Sequence, residues 1–297
     1  MNATQRRERL VLIALILPAL GWLAFAQGYP LLYSLYLSFM DWSLANSPTP
    51  QGFAGLSNFT SVLGDERFQG ALKLSALFLA KVPIELVIGF ALALFTLGQT
   101  VWHRGVRTLL LIPMLIAPIA VGSMWRLLLN SQSGLVNTLL NTVGLPAPNW
   151  LGDPTTAVVA VIWGDTWEWI PFSMIIYVAA LSGLDQSLLE SAQVEGASRW
   201  QVTWHILLPL TLPATLLILV FRLIDAFIVI DIVYSLTYGG PGFATETTSL
   251  YIFKQGLQYF NISQATAGSW LLLIASFVIA GMVLALKNRV DRAVARG

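Results

Sequence analysis

Seven ionisable residues sit inside stretches that are otherwise apolar, and they are spaced to meet. Lys81 and Glu85 are four apart, Asp165 and Glu168 three apart, Arg222 and Asp225 three apart, and Asp231 follows at the end of the same apolar run. Residues three or four apart share one face of a helix. A charge at membrane depth costs on the order of 2.5–3.5 kcal/mol on insertion scales, so such groups need partners or water. Trp163, Trp167 and Trp169 interleave Asp165 and Glu168. Carboxylates that accept from hydroxyls, beside indole faces on which sugar-ring C–H groups stack, could do the chemistry of recognition. Trp163, Asp165, Trp167, Glu168, Arg222 and Asp225 are therefore candidate substrate-pathway residues. Lys81 with Glu85, and Arg222 with Asp225, read equally well as structural ion pairs, and the tryptophans as helix packing. Catalysis has no comparable signal. No nucleophile–base set is apparent, and the two histidines, His103 and His205, lie far apart in loops. There is no G-x-x-x-x-G-K-[ST] to cradle nucleotide phosphates. The chain reads as a non-enzyme with no metal and no cofactor of its own.

The elements that must position these residues follow from composition. Of 297 residues, 56% are hydrophobic and 10% charged, against about 25% charged in soluble domains. Net charge is +1, which favours no nucleic acid. With no cysteine, disulfides and thiol chemistry are excluded. Six stretches reach the roughly 20 residues that a spanning helix needs: Leu10–Phe39, Gly70–Leu97, Val106–Leu129, Thr155–Leu181, Ile206–Leu236 and Gln264–Leu286. The first is too long for the apolar region of a cleaved signal, about 7–15 residues, and reads as an uncleaved span. The fold class is all-α, a polytopic protein with six transmembrane helices forming one membrane domain over residues 1–297. At about 1.5 Å per residue, Asp165 and Glu168 lie roughly 15–20 Å below the outer surface, Lys81 at a similar depth, and Arg222 and Asp225 in the outer half. The depths allow convergence on one cavity.

Cations set the orientation. Arg6, Arg7 and Arg9 precede the first span, Arg104 and Arg107 flank the second loop, Arg199 lies in the fourth, and Lys287, Arg289, Arg292 and Arg296 follow the last span. The opposite side carries Arg67, Lys254 and Lys73. The positive-inside rule puts both termini in the cytoplasm. The outer segments, Asp41–Gln69, Asn130–Pro154 and Thr237–Ser263, hold Pro48, Pro50, Pro146, Pro148 and Pro241, which mark turns rather than strands.

The loop between spans four and five, about residues 184–205, is polar enough for water and patterned as two short helices hinged at Gly196. Ser191, Ala192, Gly196 and Ala197 are small enough for a partner surface to approach closely, and glycine can end one helix and begin another. Trp200, Val202 and Trp204 add apolar bulk. Pro209 and Pro213 fall in first turns of span five, where a missing N–H costs least. A structured hairpin between two spans is a docking surface, and points to a transporter driven from outside the membrane.

Glu190–Pro213 closely resembles the cytoplasmic EAA loop of the membrane subunits of bacterial ATP-binding-cassette (ABC) importers. Glu190, Ala192, Gly196, Ala197, Leu208 and Pro209 match, while Ser191 replaces the usual alanine and Thr203 stands where an aromatic residue is common. Tyr29–Phe39, Gly55–Phe59, Phe221–Asp231, and Tyr238–Ser249 with its G-G-P-G and T-E-T, resemble the carbohydrate-importer permeases. The resemblance implies a type I ABC importer permease of the bacterial inner membrane that forms half of a translocation pathway for a sugar or related polyol. It implies coupling to an ATPase through Glu190, Ala192, Gly196, Ala197, Trp200 and Pro209. Implied partners are a second permease, most often distinct, so that the pair is a heterodimer, two ATPase subunits carrying the ATP and Mg, and an extracytoplasmic solute-binding protein. Gly239, Gly240, Pro241 and Gly242 are the candidate contact for that protein. The rival reading is a secondary transporter driven by an ion gradient, using Asp165, Glu168 or Asp225 as ion sites. Such proteins often carry inverted repeats, and none is visible here.

Overall fold

The computed structural model describes residues 14–98 and 100–294, with side chains as far as residue 285 except that of Gln186. The described elements run α1 (Ala14–Ser38), β1 (Met40–Asp41), β2 (Gly52–Phe53), α2 (Ser57–Gly64), α3 (Glu66–Thr96), α4 (Val101–Leu115), α5 (Pro118–Leu128), α6 (Leu135–Thr142), α7 (Pro154–Ser182), α8 (Gln186–Val194), α9 (Arg199–Leu210), α10 (Leu212–Phe227), α11 (Asp231–Leu236), α12 (Thr248–Leu257) and α13 (Ile262–Val294). By length and hydropathy, α1, α3 and α13 can each cross a bilayer, and three bent helix pairs bring the candidate spans among the described residues to six. Arg6, Arg7, Arg9 and Arg296 lie outside the described residues, as do the side chains of Lys287, Arg289 and Arg292.

The chain divides into two compact units. One comprises residues up to Asp65 with Ile252–Leu271. Here α1 lies wholly exposed across its most apolar window. The ladder pairs Met40 with Phe53 and Asp41 with Gly52, around the loop that holds Pro48 and Pro50. Asn58 Nδ2 donates to the carbonyls of Ser38 (2.9 Å) and Met40 (2.8 Å), tying α2 to the end of α1.

The other unit, Glu66–Tyr251 with Leu272 onward, contains the charges. Its most extensive helix–helix interface joins α3 and α7. Close packing is possible because α3 carries a glycine at the crossing. A Cβ on Gly89 would fall 2.5 Å from Ser173 Cβ and 3.0 Å from Met174 N. In lipid, helices associate through such small-residue approaches and polar contacts rather than through hydrophobic burial. Ala93, Met174, Tyr177, Val178, Leu181, Leu207 and Ile218 form the apolar core beside it. Tyr177 Oη lies 2.9 Å from Thr215 Oγ1, so α7 and α10 are also joined by a satisfied hydroxyl pair.

Two expected spans are not single helices. Val106–Leu129 breaks at Ile116 and Ala117, both extended, and α4 and α5 meet at 96°. Pro118 forces this, because a residue before proline avoids the helical region and proline suits the first position of a new helix. Ile206–Leu236 comprises pieces of three helices. α9 meets α10 at 62° across Thr211, and α10 ends at Phe227 before α11 restarts at Asp231. Pro209 is absorbed by a π-turn at Thr203–Leu207, whose wider ring relieves the clash of the proline ring with the carbonyl four residues back.

Candidate functional site

The intramembrane charges converge, and of the two pairs expected within a helix Arg222–Asp225 forms while Lys81–Glu85 does not. Lys81 closes a 3-10 turn in α3 and forms its ion pair with Asp165 on α7 rather than with Glu85. Glu85, one turn on, accepts two hydrogen bonds from Arg222 on α10, from Nε at 2.7 Å and Nη2 at 2.9 Å. The same Nη2 reaches Asp165 at 3.1 Å, and Nη1 bonds Asp225. The guanidinium also lies 4.5 Å from the ring centroid of Trp169. A planar fork with five donors suits this bridging role, which a lysine could not fill. The (i, i+4) pair expected in α3 is replaced by cross-helix pairs because α3, α7 and α10 pack with these faces together. A partner on another helix holds two elements in register as well as neutralising the charge.

Lys81, Glu85, Asp165 and Arg222 are all at most 2% exposed, whereas the Asp225 side chain is 45% exposed. Glu168 is buried, and its Oε2 has no hydrogen-bond partner. Of the aromatic candidates, Trp167 packs edge-on against Trp125 at 5.8 Å. Trp163 is exposed and, with Trp125 and Trp150, lines an apolar cleft of about 340 Å³.

The hairpin is built by four caps. Gly183 ends α7. The Asp185 side chain accepts from Ser187 N at 2.9 Å to begin α8. That bond holds the Asp185 carboxyl below the usual carboxylate range. α8 ends before Gly196, whose φ of +80° is the left-handed conformation the turn requires. Ser198 and Gln201 then form a capping box for α9. Ala192 is buried, while Glu190, Gly196, Trp200 and Pro209 are exposed and Ala197 half-buried. Trp200 and Trp204 pack at 5.3 Å and leave their outer faces open. Ala192, Gly196, Ala197, Gln201 and His205 line an open groove of about 400 Å³ on this hairpin. A second cleft, about 600 Å³, is shared by Leu97, Arg104 and Arg107 with Glu190 and Gln193. The hairpin thus lies on the same side as the basic loop between α3 and α4.

The segment with Gly239, Gly240, Pro241 and Gly242 is braced from within. Thr245 Oγ1 bonds the Gly240 carbonyl at 2.8 Å, Thr247 Oγ1 the Val229 carbonyl at 2.8 Å, and Thr248 N donates to Ser75 Oγ at 3.0 Å. Glu246, buried, takes both the Nε and Nη2 of Arg67, and the guanidinium stacks 4.1 Å from Phe243. Sequence reasoning missed the Arg67–Glu246 pair, because 179 positions separate the partners. It also missed Trp169 as the platform for Arg222.

Comparison with known proteins agrees with this geometry. The family model for binding-protein-dependent transport system inner membrane components matches residues 84–296. A probable ABC transporter permease of Sinorhizobium fredii, y4oQ, is 36% identical over 283 residues, covering 94% of this chain and 90% of the relative. The trehalose/maltose transport system permease MalF of Thermococcus litoralis is 36% identical over 234 residues, 76% of this chain and 78% of the relative. Among solved structures, a chain of a bacterial alginate ABC transporter in complex with an alginate pentasaccharide-bound periplasmic protein superposes with a TM-score of 0.82, at 24% identity and 97% coverage of both chains. The architecture is that of ABC importer permeases, and this chain belongs to the family of binding-protein-dependent transport system inner membrane components.

Proposed function

We propose that this chain is the membrane-spanning subunit of an ATP-driven importer for a sugar or related polyol. The observation that carries the reading is the family match across residues 84–296, which covers the exposed Gly196 hairpin and the buried charges other than Lys81. Relatives named for trehalose/maltose transport support the substrate class. The whole chain, residues 1–297, acts as one permease domain with both termini in the cytoplasm. A second, distinct permease completes the pathway. Two ATPase subunits carry ATP and Mg, and an extracytoplasmic binding protein delivers the solute to the Gly239–Gly242 segment.

The geometry suits a lever. Closure of the ATPase pair displaces the hairpin through Glu190, Ala192, Gly196, Ala197, Trp200 and Pro209. The hairpin joins α7 directly to α9 and α10, so its motion reaches the helices that carry Asp165 and Arg222. Because Arg222 ties α10 to α3 and α7, the three helices move together rather than shearing apart. Trp163, Trp167, Glu168 and Asp225 then face the solute, while Asp165 and Arg222 hold the frame. A secondary transporter finds no support among the relatives, which are named as ABC permeases.

The test is uptake by proteoliposomes holding this chain, its partner permease, the ATPase subunits and the binding protein. Solute uptake should require ATP inside and should stop when the ATPase is omitted. Uptake by this chain alone under a pH gradient would refute the reading.

A further inference from the structure

Arg104 and Arg107 have no role in the lever, yet they line a cleft of about 600 Å³ together with α8. Its other walls come from the residue after α3 (Leu97) and the end of α7 (Leu181 and Ser182). Both helices are long and apolar, so their ends lie where the hydrocarbon of a bilayer gives way to headgroups. Trp102, exposed in the first turn of α4, has the amphipathic ring that settles at that depth. The cations of the cleft are not consumed within the chain. Among the described residues, the Arg104 side chain has no ion pair and no hydrogen bond. Arg107 gives Nη2 to the Thr96 carbonyl, but its Nε is buried without a partner. A buried donor left unpaired is costly, so it marks a position that an acceptor from outside can fill. Glu190 is the one carboxylate lining this cleft, and among the described residues it pairs with neither arginine. Two guanidinium groups against one carboxylate leave a single positive charge.

We propose that this cleft binds the phosphodiester headgroup of an anionic phospholipid from the cytoplasmic leaflet, with Arg104 and Arg107 receiving the phosphate. A phosphodiester carries one negative charge and closes the balance. Inorganic phosphate or a phosphate monoester, at about −1.5 to −2 near neutral pH, overshoots it. Guanidinium groups match phosphate oxygens with paired donors. Four leucines, Leu97, Leu181, Leu184 and Leu189, line the same cleft, and α4 continues from the arginines into exposed Leu109, Ile112 and Leu115. The ligand that fits is therefore anionic at one end and apolar for the rest of its length. Basic clusters at the cytoplasmic edge of a span draw anionic lipids for the same reason. The choice of leaflet rests on the orientation proposed above, whereas the chemistry of the site does not.

The test is native mass spectrometry of the complete importer, delipidated in neutral detergent and titrated with dioleoyl phosphatidylglycerol. Dioleoyl phosphatidylcholine is the neutral lipid probe and inorganic phosphate the soluble anion. One phosphatidylglycerol per copy of this chain should bind at least about tenfold more tightly than phosphatidylcholine, and about a tenfold excess of inorganic phosphate should not displace it. In the double variant Arg104→Gln/Arg107→Gln that binding should weaken about thirtyfold. Arg104→Gln alone keeps the bond from Arg107 to Thr96 and should weaken it about fivefold. Arg199→Gln removes an exposed hairpin cation outside the cleft and should leave it unchanged. Equal affinity for the two lipids, or equal losses in Arg104→Gln and Arg199→Gln, overturns the proposal. Displacement by inorganic phosphate also overturns it and assigns the cleft to a free anion. Uptake by the same preparation keeps the two readings apart, because selective lipid binding with uptake that ignores ATP refutes the importer reading and leaves this site standing.

Discussion

The buried network and the hairpin are opposites built from the same unit. In the network, side chains up to 137 positions apart satisfy one another, and apart from Asp225 their surface is withdrawn from solvent. In the hairpin, caps act within two or three residues, and the large aromatic residues face outward. The first is finished within the chain, while the second leaves Trp200 and Trp204 open, as the proposed docking on an ATPase requires. A network that fixes three helices in register makes a rigid body, and a locally capped hairpin on that body makes a handle. Force applied to the handle is conserved only if the body does not shear.

The sharpest way to break this contrast is at Arg222. Arg222→Leu leaves Glu85 and Asp165 without their shared cation and should destabilise the permease by about 3–5 kcal/mol, the usual cost of removing one partner from a buried ion pair. The assembled complex should be lost from detergent extracts. Arg222→Lys keeps the charge but cannot bridge three carboxylates, and a thermal-unfolding midpoint between wild type and Leu would separate bridging from charge alone. Gly89→Ala should be milder, about 1–3 kcal/mol for overpacking, because Ser173 and the Met174 backbone must shift. A lower unfolding midpoint with α10 contacts unchanged would place the effect at the α3–α7 crossing.

The smallest effect belongs to the handle. The Asp185 carboxyl titrates lower when folded than its ordinary value of 3.8. Its capping contribution to α8 is therefore fully present above about pH 3.8, and is lost as the pH falls through the lower folded value. Asp185→Ala should abolish that pH dependence in hydrogen exchange of α8 amides and leave exchange of α3 unchanged.

Much of this was legible in the chain itself. Hydropathy revealed the six apolar stretches, and the small residues around Gly196 gave the hairpin, because both are local patterns. The break at Thr211 is not legible, since a proline near a helix start looks the same whether the helix continues or bends, and the break beyond Phe227 has no proline or glycine to mark it. Pro118 was visible, and taken with Pro113 it could have flagged the break at Ala117. Spacing identifies Lys81, Glu85, Asp165, Arg222 and Asp225 and finds the Arg222–Asp225 pair within α10, but it pairs Lys81 with Glu85, which instead bond across helices. Their true partners depend on which faces of α3, α7 and α10 meet, and that is set by packing at Gly89 and Ser173 rather than by any local rule. The helices α2, α6 and α12 lie in segments whose prolines suggested turns alone.

The account stands or falls on whether the handle is held by an ATPase. The chain contains no cysteine, so Trp200→Cys introduces a single thiol at an exposed hairpin position. In the purified importer, a short bifunctional crosslinker should join that thiol to the ATPase subunit, with a yield that changes on adding ATP and a block to transport once the link forms. Absence of any ATPase adduct, with labelling of residue 200 from the outer face of intact cells, would contradict it.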